Sequence, residues 1–247
     1  MRKTTAHNLT FDIVQRLGEE VVSGKYADEH KFPTEAELCT EYDVSRSVMR
    51  EAVKMLTGKG LLTARPRRGT QVTEETQWNL LDPDVLNWLL KRDLSLPLLV
   101  EFTEMRFGVE PEAAALAARS ATQEQKDRIM DTIEEMERAS RGESDPLESD
   151  IAFHLAVLEA SNNRFMVLLD SLIETALRFS IRLTNRLKGV KVASVDEHRQ
   201  VADAIIDGDA EKAHRCMLHM QQEARDLFEK HMQKEASDLL EQQLLAS

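Results

Sequence analysis

Two groups of side chains have types and spacings that could do chemistry. In the second half of the chain, Asp150 and His154 stand four residues apart, so a helix presents the carboxylate and the imidazole on one face. His198 opens a later helix-forming stretch in which Ala202 and Ile205 follow one and two turns on. A carboxylate and imidazoles converging from different helices of a bundle can bind a divalent metal ion of the zinc, nickel or manganese class. An Asp–His pair at this spacing is also common on solvated helix surfaces, so spacing alone leaves both readings open. In the first part of the chain, residues 44–72 hold Arg46, Arg50, Lys54, Lys59, Arg65, Arg67 and Arg68 against one acid, Glu51. A compact patch of charge +6 suits a polyanion. The alternative is a solvated helix face beside a charged loop.

The whole chain argues the other way at first. Its 247 residues include 32 Lys+Arg and 44 Asp+Glu, for a net charge of −12. The charge is unevenly placed. Residues 1–76 hold 12 basic and 12 acidic residues, whereas 77–247 hold 20 and 32 and carry the whole excess. Hydrophobic residues at 42% are enough for a core, and aromatics at 5% with nine glycines and six prolines favour helices over a sandwich or barrel. No run of about 18 apolar residues suggests a membrane span. The opening MRKTTAHNL lacks the apolar core of a secretory signal, and Cys39 and Cys216 lie far apart. These features fit a cytoplasmic protein with reduced thiols and no membrane partner.

Three short helices and a hairpin must position the basic patch. Asn8 or Thr10 can cap a first helix with Ile13, Leu17, Val21 and Val22 inward, ended by Gly24. Thr34 and Glu37 form a capping box for a second, with Leu38 and Tyr42 on its apolar side. Ser45 caps a third over Arg46–Lys59, with Val48, Ala52, Val53 and Leu56 inward. Leu61–Arg65 and Thr70–Val72 read as two strands around a turn at Pro66–Gly69. This is the pattern of a winged helix-turn-helix, in which the third helix enters the major groove. Ser45, Arg46 and Ser47 then meet base edges, with Arg46 able to reach a guanine bidentately. Ser47, Arg50 and the helix N-terminus suit phosphates. Arg67, Arg68 and Gly69 form a wing tip that can follow the backbone or enter the minor groove.

The runs Phe32–Leu38, Val44–Ala52, Leu56, Gly60–Leu61 and Arg68–Val72 resemble the DNA-binding domain of the GntR superfamily. The resemblance implies a homodimer on a short palindromic operator in double-stranded DNA. It also puts Glu35, Arg46, Ser47, Arg50, Gly69 and Thr70 at DNA-contacting positions. Glu35 stands at the first position of a helix, where an acid favours the dipole; beside phosphate it would orient an arginine rather than bind DNA itself.

Residues 73–84 lose helical periodicity and contain Pro83, so 77–84 read as a linker, with Trp78 and Trp88 expected to pack it against the second domain. Residues 85–247 are almost continuously helix-forming, broken into six or seven helices with apolar faces such as Leu168, Leu172, Ile173 and Leu177. The expected fold is therefore mainly α: a winged helix-turn-helix over 1–76 and an antiparallel all-helical bundle over 85–247.

Within that bundle, Arg106, Glu110, Ala113–Ala118, Asp150–His154, Leu158, Ser161–Asn163, Glu197–His198 and Ala204–Asp209 with Ala213 resemble the FCD ligand-binding domain of the FadR subfamily. Many members bind a metal through an Asp, the His four residues later, the His of the Glu-His pair, and a last His on the final helix. The first three match Asp150, His154 and His198. Met220 stands in the fourth position, with His219 one residue, or about 100° of helix, earlier. Three arrangements are open: three protein ligands with effector or water completing the shell, a shifted last helix that brings in His219, or no metal. We expect the first, because Met220 continues the apolar line of Ala213 and Met217.

Effectors of the subfamily tend to be small carboxylates. Arg106 matches an inward arginine of the family, and Asn162, Arg178 and Arg182 are further candidates to bind the effector. Residues Trp78–Trp88 resemble the join in galactonate-operon repressors of the subfamily. That implies a sugar-acid effector, an aldonate or its keto-deoxy relative; lactate or pyruvate is the alternative. The expected activity is repression released by such a ligand. A metal-dependent enzyme acting on a sugar acid is the competing reading. The sequence shows no Ser-His-Asp arrangement, glycine-rich phosphate loop or HExxH motif to support it, so no catalytic residue is assigned.

Overall fold

Five apolar positions, Ile13, Val14, Leu17, Val21 and Val22, bury one side of helix α1 (Ala6–Val22). The helix begins before Asn8 and Thr10, the residues expected to cap it. The computed structural model describes residues 6–26, 32–65, 69–92, 96–189 and 193–245. Thr34 caps α2 (Glu35–Tyr42) through a reciprocal pair: its hydroxyl accepts from the Glu37 N–H, and the Glu37 carboxylate accepts from the Thr34 N–H at 2.7 Å. Both bonds satisfy N–H groups that a helix end otherwise leaves orphaned.

Asp43, at φ 51°, turns the chain through the left-handed region, and Ser45 caps α3 (Arg46–Gly58) by accepting the Val48 N–H. Val48, Met49, Ala52, Val53 and Leu56 bury the inner face of α3. Strands β1 (Leu62–Arg65) and β2 (Gly69–Val72) pair antiparallel with Arg65 opposite Gly69. The helix-turn-helix and its wing are therefore as the sequence indicates. Arg67 and Arg68 at the wing tip lie outside the described residues.

The chain divides into two compact units between Asp93 and Leu94, later than the sequence suggested. Residues 77–84 are not a free linker but fold back on the end of α3. The Asn79 N–H donates to the Lys59 carbonyl, and the Lys59 ammonium donates to Asp82 (2.7 Å) and Asp84 (2.8 Å). Gly60, at φ 82°, admits this approach: a Cβ there would stand 2.4 Å from the Gln77 carbonyl oxygen. Burial disfavours the Lys59 charge, but the two carboxylates outweigh it and raise its pKa. Lys59 thus leaves the basic patch in which the sequence counted it.

Helix α4 (Pro83–Arg92) packs on α1 and belongs to the N-terminal unit. Both tryptophans, expected to pack the linker against the second domain, have their described packing within that unit. The Trp88 indole N–H donates to Gln15, while its ring lies over Gly18; Trp78 is buried beneath the Arg92 guanidinium.

The second unit comprises α5 (Leu96–Ser120), α6 (Gln123–Ser140), α7 (Pro146–Ala160), the single turn α8 (Arg164–Val167), α9 (Asp170–Lys188), α10 (Val195–Ile206) and α11 (Ala210–Leu245). Helix α11 continues past Met232, the point beyond which the sequence was uninformative. The alanines of α5 let its neighbours approach closely, since interaxial distance follows side-chain size. Ala113 joins Ile151, Leu158, Ile173 and Leu177 on one side; Ala114, Ala117 and Ala118 join Ile129, Ile133, Phe153, Val201 and Met217 on the other. Helix α7 contributes to both clusters and is therefore enclosed on most of its circumference. Leu168, expected on the apolar face of the next helix, is exposed because α8 intervenes and α9 starts only at Asp170. No helix among the described residues is long and apolar enough to cross a membrane.

A methyl group at position 18 would stand 2.3 Å from the Trp88 ring. Gly18→Ala should therefore destabilise the N-terminal unit by about 1–3 kcal/mol through overpacking. Both tryptophans of the chain lie in that unit, so denaturant unfolding followed by tryptophan fluorescence reads it directly. An unchanged midpoint would show that α4 does not depend on this contact.

Candidate functional site

Because α7 is enclosed, the Asp150–His154 pair on it is buried rather than solvated. Helix α10 brings His198 to the same point, buried against the edge of the Phe153 ring at 4.9 Å between centroids. The ligand-type atoms of Asp150, His154 and His198 all lie within 4.8 Å of one another. His198 Nε2 and His154 Nε2 stand 3.3 and 3.4 Å from one Asp150 oxygen. Metal bonds of about 2.0–2.2 Å place neighbouring ligand atoms about 2.8–3.1 Å apart on an octahedral centre and about 3.3–3.6 Å apart on a tetrahedral one, so the donor set fits a divalent ion.

The far ring nitrogens are also committed. His198 Nδ1 is 2.7 Å from the Ser194 carbonyl oxygen, and His154 Nδ1 is 2.7 Å from Glu110 Oε2. If each Nδ1 carries the proton and donates, both Nε2 lone pairs face Asp150, the arrangement of metal-ligating histidines backed by carbonyl or carboxylate. In the alternative protonation, with Nε2–H directed at Asp150, hydrogen bonds from both histidines outweigh burial and hold its carboxyl well below the usual range.

Glu110 lies behind this group, on α5. Burial would raise its pKa, yet the Arg106 charge and His154 hold it well below the ordinary carboxylate range. Arg106 donates to it through Nε at 2.5 Å and Nη2 at 3.0 Å, and Gln221 on α11 donates through Nε2 at 2.7 Å. His154 is correspondingly pushed up, since Glu110 and Asp150 outweigh its burial and the Arg106 charge. The Gln221 side-chain oxygen is buried with no donor among the described residues. Leaving such an acceptor unmatched costs about 1–3 kcal/mol.

These groups line a cavity of about 290 Å³. Arg106, Asp150, His154, His198 and Gln221 form one end. Thr103, Ser180, Thr184, Asn185, Lys188 and Glu197 add polar groups, and Ile181, Met220, Ala224 and Phe228 are apolar. Of the four arginine and asparagine candidates for the effector, only Arg106 is there. Asn162, at φ 52°, closes α7: its amide donates to the Ser120 carbonyl and its oxygen accepts from Gln125. Arg178 bridges Glu148 and Glu174, and Arg182 is exposed away from the lining.

Met220 faces the cavity, as its apolar line indicated. The exposed His219 lies instead with Glu197 and Glu223, the last of which is ion-paired with Lys188 at 3.0 Å. The shifted-helix alternative is thus not realised. Glu110 and Gln221 had no assigned role in the sequence. The Arg106–Glu110 spacing of four could have signalled their ion pair. Nothing in the sequence signalled Gln221.

In the N-terminal unit, Ser45, Arg46, Ser47 and Arg50 are exposed on α3 at and after its N-terminus. The hydroxyls of Ser45 and Ser47 lie 3.0 Å apart. Glu35 stands 3.8 Å from Arg50 Nε, placing its charge on an arginine. Gly69 is at φ 77°, in the left-handed region that favours glycine, and has open space where a side chain would be; Thr70 follows it on β2.

Comparison with known proteins agrees with both units. Residues 9–72 match the family described as bacterial regulatory proteins, gntR family, and residues 101–223 match the FCD domain. The chain is 34% identical over 214 residues to the galactonate operon transcriptional repressor of Escherichia coli K12, covering 86% of this chain and 93% of that protein. It is 32% identical over 210 residues to the HTH-type transcriptional regulator YieP of the same organism, covering 84% and 90%. A solved structure of the Listeria monocytogenes regulator Lar superposes with a TM-score of 0.58 at 18% identity, over 93% of this chain and 99% of that one, which shows a shared fold. These relatives are regulators of transcription and not enzymes. The chain belongs to the GntR family of bacterial transcriptional regulators and, with its FCD domain, to the FadR-like type.

Proposed function

We propose that this regulator is a homodimeric repressor of a sugar-acid catabolic operon, released from a palindromic operator by a small carboxylate effector bound in the α5–α11 cavity. The observation that carries the reading is the buried end of that cavity, where Asp150, His154 and His198 converge beside the Arg106 guanidinium. The similarity to a galactonate operon repressor supports an aldonate as effector.

On this reading Asp150, His154 and His198 hold a divalent metal, with no fourth protein ligand since Met220 offers only a thioether. When bound, the metal supplies a positive centre with open positions for a carboxylate. Glu110 and Ser194 fix the two imidazoles so that Nε2 is the ligand atom. Arg106 donates to Glu110 through Nε and Nη2, which leaves other guanidinium N–H groups for the effector carboxylate. In the N-terminal unit, Arg46 reads a guanine edge, while Ser45, Ser47, Arg50 and the N-terminus of α3 meet phosphate. Glu35 orients Arg50. Gly69, Thr70 and the wing-tip arginines Arg67 and Arg68 follow the backbone.

Release requires that the effector bind two arrangements of the dimer with different affinity. Four measurements test these assignments. Arg46→Ala should weaken operator binding about tenfold or more at fixed salt; unchanged affinity would remove α3 as the reader. His154→Ala should lower bound metal and raise the effector concentration needed for release. Metal analysis of the native protein purified without chelator should find a stoichiometric divalent ion, and finding none would overturn the ligand set. Glu110→Gln should reduce metal affinity about 10–100-fold, because it loosens His154 without removing a ligand.

A further inference from the structure

The wall that α9 gives the cavity carries polar groups that the metal and carboxylate roles do not use. Five residues of α9 line the cavity: Ser180, Ile181, Thr184, Asn185 and Lys188. At about 100° of rotation per residue they span an arc of about 140° on one side of the helix. Thr184 lies inside that arc, between the directions of Ser180 and Lys188, and Asn185 stands at its edge. Arg182 and Arg186 fall on the opposite side and are exposed. Burial is graded along the strip. Ser180 and Ile181 are buried, as are Arg106, Asp150, His154 and His198, whereas Thr184 and Asn185 are half-buried and Lys188 is exposed. The strip therefore runs from the closed end of the cavity toward its opening, with Thr184 and Asn185 midway.

Neighbouring polar groups of the lining are committed. Ser180 donates to the Leu177 carbonyl and Thr103 to the Leu99 carbonyl. Ser194 caps α10, and Lys188 is paired with Glu223. Thr184 and Asn185 differ. A helical threonine commonly returns its hydroxyl proton to the carbonyl one turn back, and Thr40, Thr57, Thr103 and Thr175 all do so. The Thr184 hydroxyl makes no such bond, and the Asn185 carboxamide has no partner among the described residues. A hydroxyl offers one donor and two lone pairs, and a carboxamide two donors and two lone pairs. Adjacent on the cavity side of one helix, they match groups that both donate and accept. A carboxylate only accepts, and an alkyl chain does neither; a run of hydroxyls does both.

We propose that this face of α9 is a polyol subsite, in which the Thr184 hydroxyl and the Asn185 carboxamide hydrogen-bond hydroxyl groups on the part of the effector remote from its carboxylate. This rests on the reading of the cavity as a carboxylate-effector site. Thr184 stands one helical turn, about 5.4 Å, beyond Ser180 toward the opening. A three-carbon acid anchored by its carboxylate at the closed end stops short of it, and a longer polyhydroxy chain reaches it. The cavity then selects a sugar acid over lactate or pyruvate through α9, and not through the groups that hold the carboxylate.

Calorimetry on the full chain at one metal loading tests this with galactonate and lactate as probes. The native protein should bind galactonate at least tenfold more tightly than lactate. Thr184→Val keeps the shape and removes the hydroxyl, and Asn185→Leu removes the carboxamide. Each should weaken galactonate binding about three- to tenfold, the net worth of one or two neutral hydrogen bonds, and leave lactate within about twofold. Thr184→Ser retains the hydroxyl and should bind galactonate within about twofold of the native protein, which separates a lost bond from a disturbed helix. Galactonate affinity unchanged in both the Val and Leu variants, or lactate bound as tightly as galactonate by the native protein, overturns the subsite and leaves the carboxylate site standing. Failure of the native protein to bind either acid overturns both.

Discussion

Glu110 is the constraint around which the second unit is arranged. A carboxylate almost wholly removed from water survives ionised only where cations and hydrogen-bond donors surround it. Here α5 supplies Arg106, α7 supplies His154 and α11 supplies Gln221. Three helices are tied to one side chain, and each tie has a consequence at the cavity. Arg106 is held at the wall, His154 presents Nε2 toward Asp150, and Gln221 turns its oxygen away from the acid. Removing one partner of a buried pair costs about 3–5 kcal/mol, because the other is left charged and unmatched. The cavity wall and the bundle core are therefore one network.

A smaller version of the same logic joins the N-terminal unit. Lys59 ends α3, and its ammonium is half buried between Asp82 and Asp84. That ion pair brings residues 79–84 back to α3 and starts α4 on its course along α1, where Trp88 covers Gly18. It also changes the meaning of the charge distribution. Lys59 serves the fold, so the described cations left exposed on α3 are Arg46, Arg50 and Lys54, of which Arg50 and Lys54 each have an acid within 4 Å. The basic patch is narrower than its +6 total and better aimed.

Sequence legibility follows how local each determinant is. The capping residues Thr34, Glu37 and Ser45 act within one helical turn, and each was readable and is present. The Asp150–His154 spacing was readable too, but whether that face was dry depended on α7 being enclosed by α5, α6 and α9, which no local pattern states. Arg178 and Arg182 sit on an amphipathic helix where many arginines look alike; the acids Glu148 and Glu174 decide where Arg178 points. Asn162 was taken for a binding group because amides bind ligands, yet its left-handed backbone gives it the task of ending a helix. Residues 77–84 include Pro83, a residue well suited to the first position of a helix, and α4 begins there. Gln221 was illegible, since its bond to Glu110 joins residues 111 apart in sequence.

Met220 and Gln221, neighbours on α11, have related consequences for a switch. Met220 brings a thioether to the cavity, and the carboxamide beside it keeps an acceptor that no described group satisfies. Neither feature stabilises the protein alone. Both raise the free energy of the unliganded cavity relative to one holding a group that can donate and coordinate. An effector shifts a conformational equilibrium only by its differential affinity for the two states. A cavity that is incomplete without its ligand supplies such a difference, provided that closing it around the ligand moves α11 against α5. Those two helices share the Gln221–Glu110 bond, so repair of the orphaned acceptor is transmitted first to the contact along which they pack.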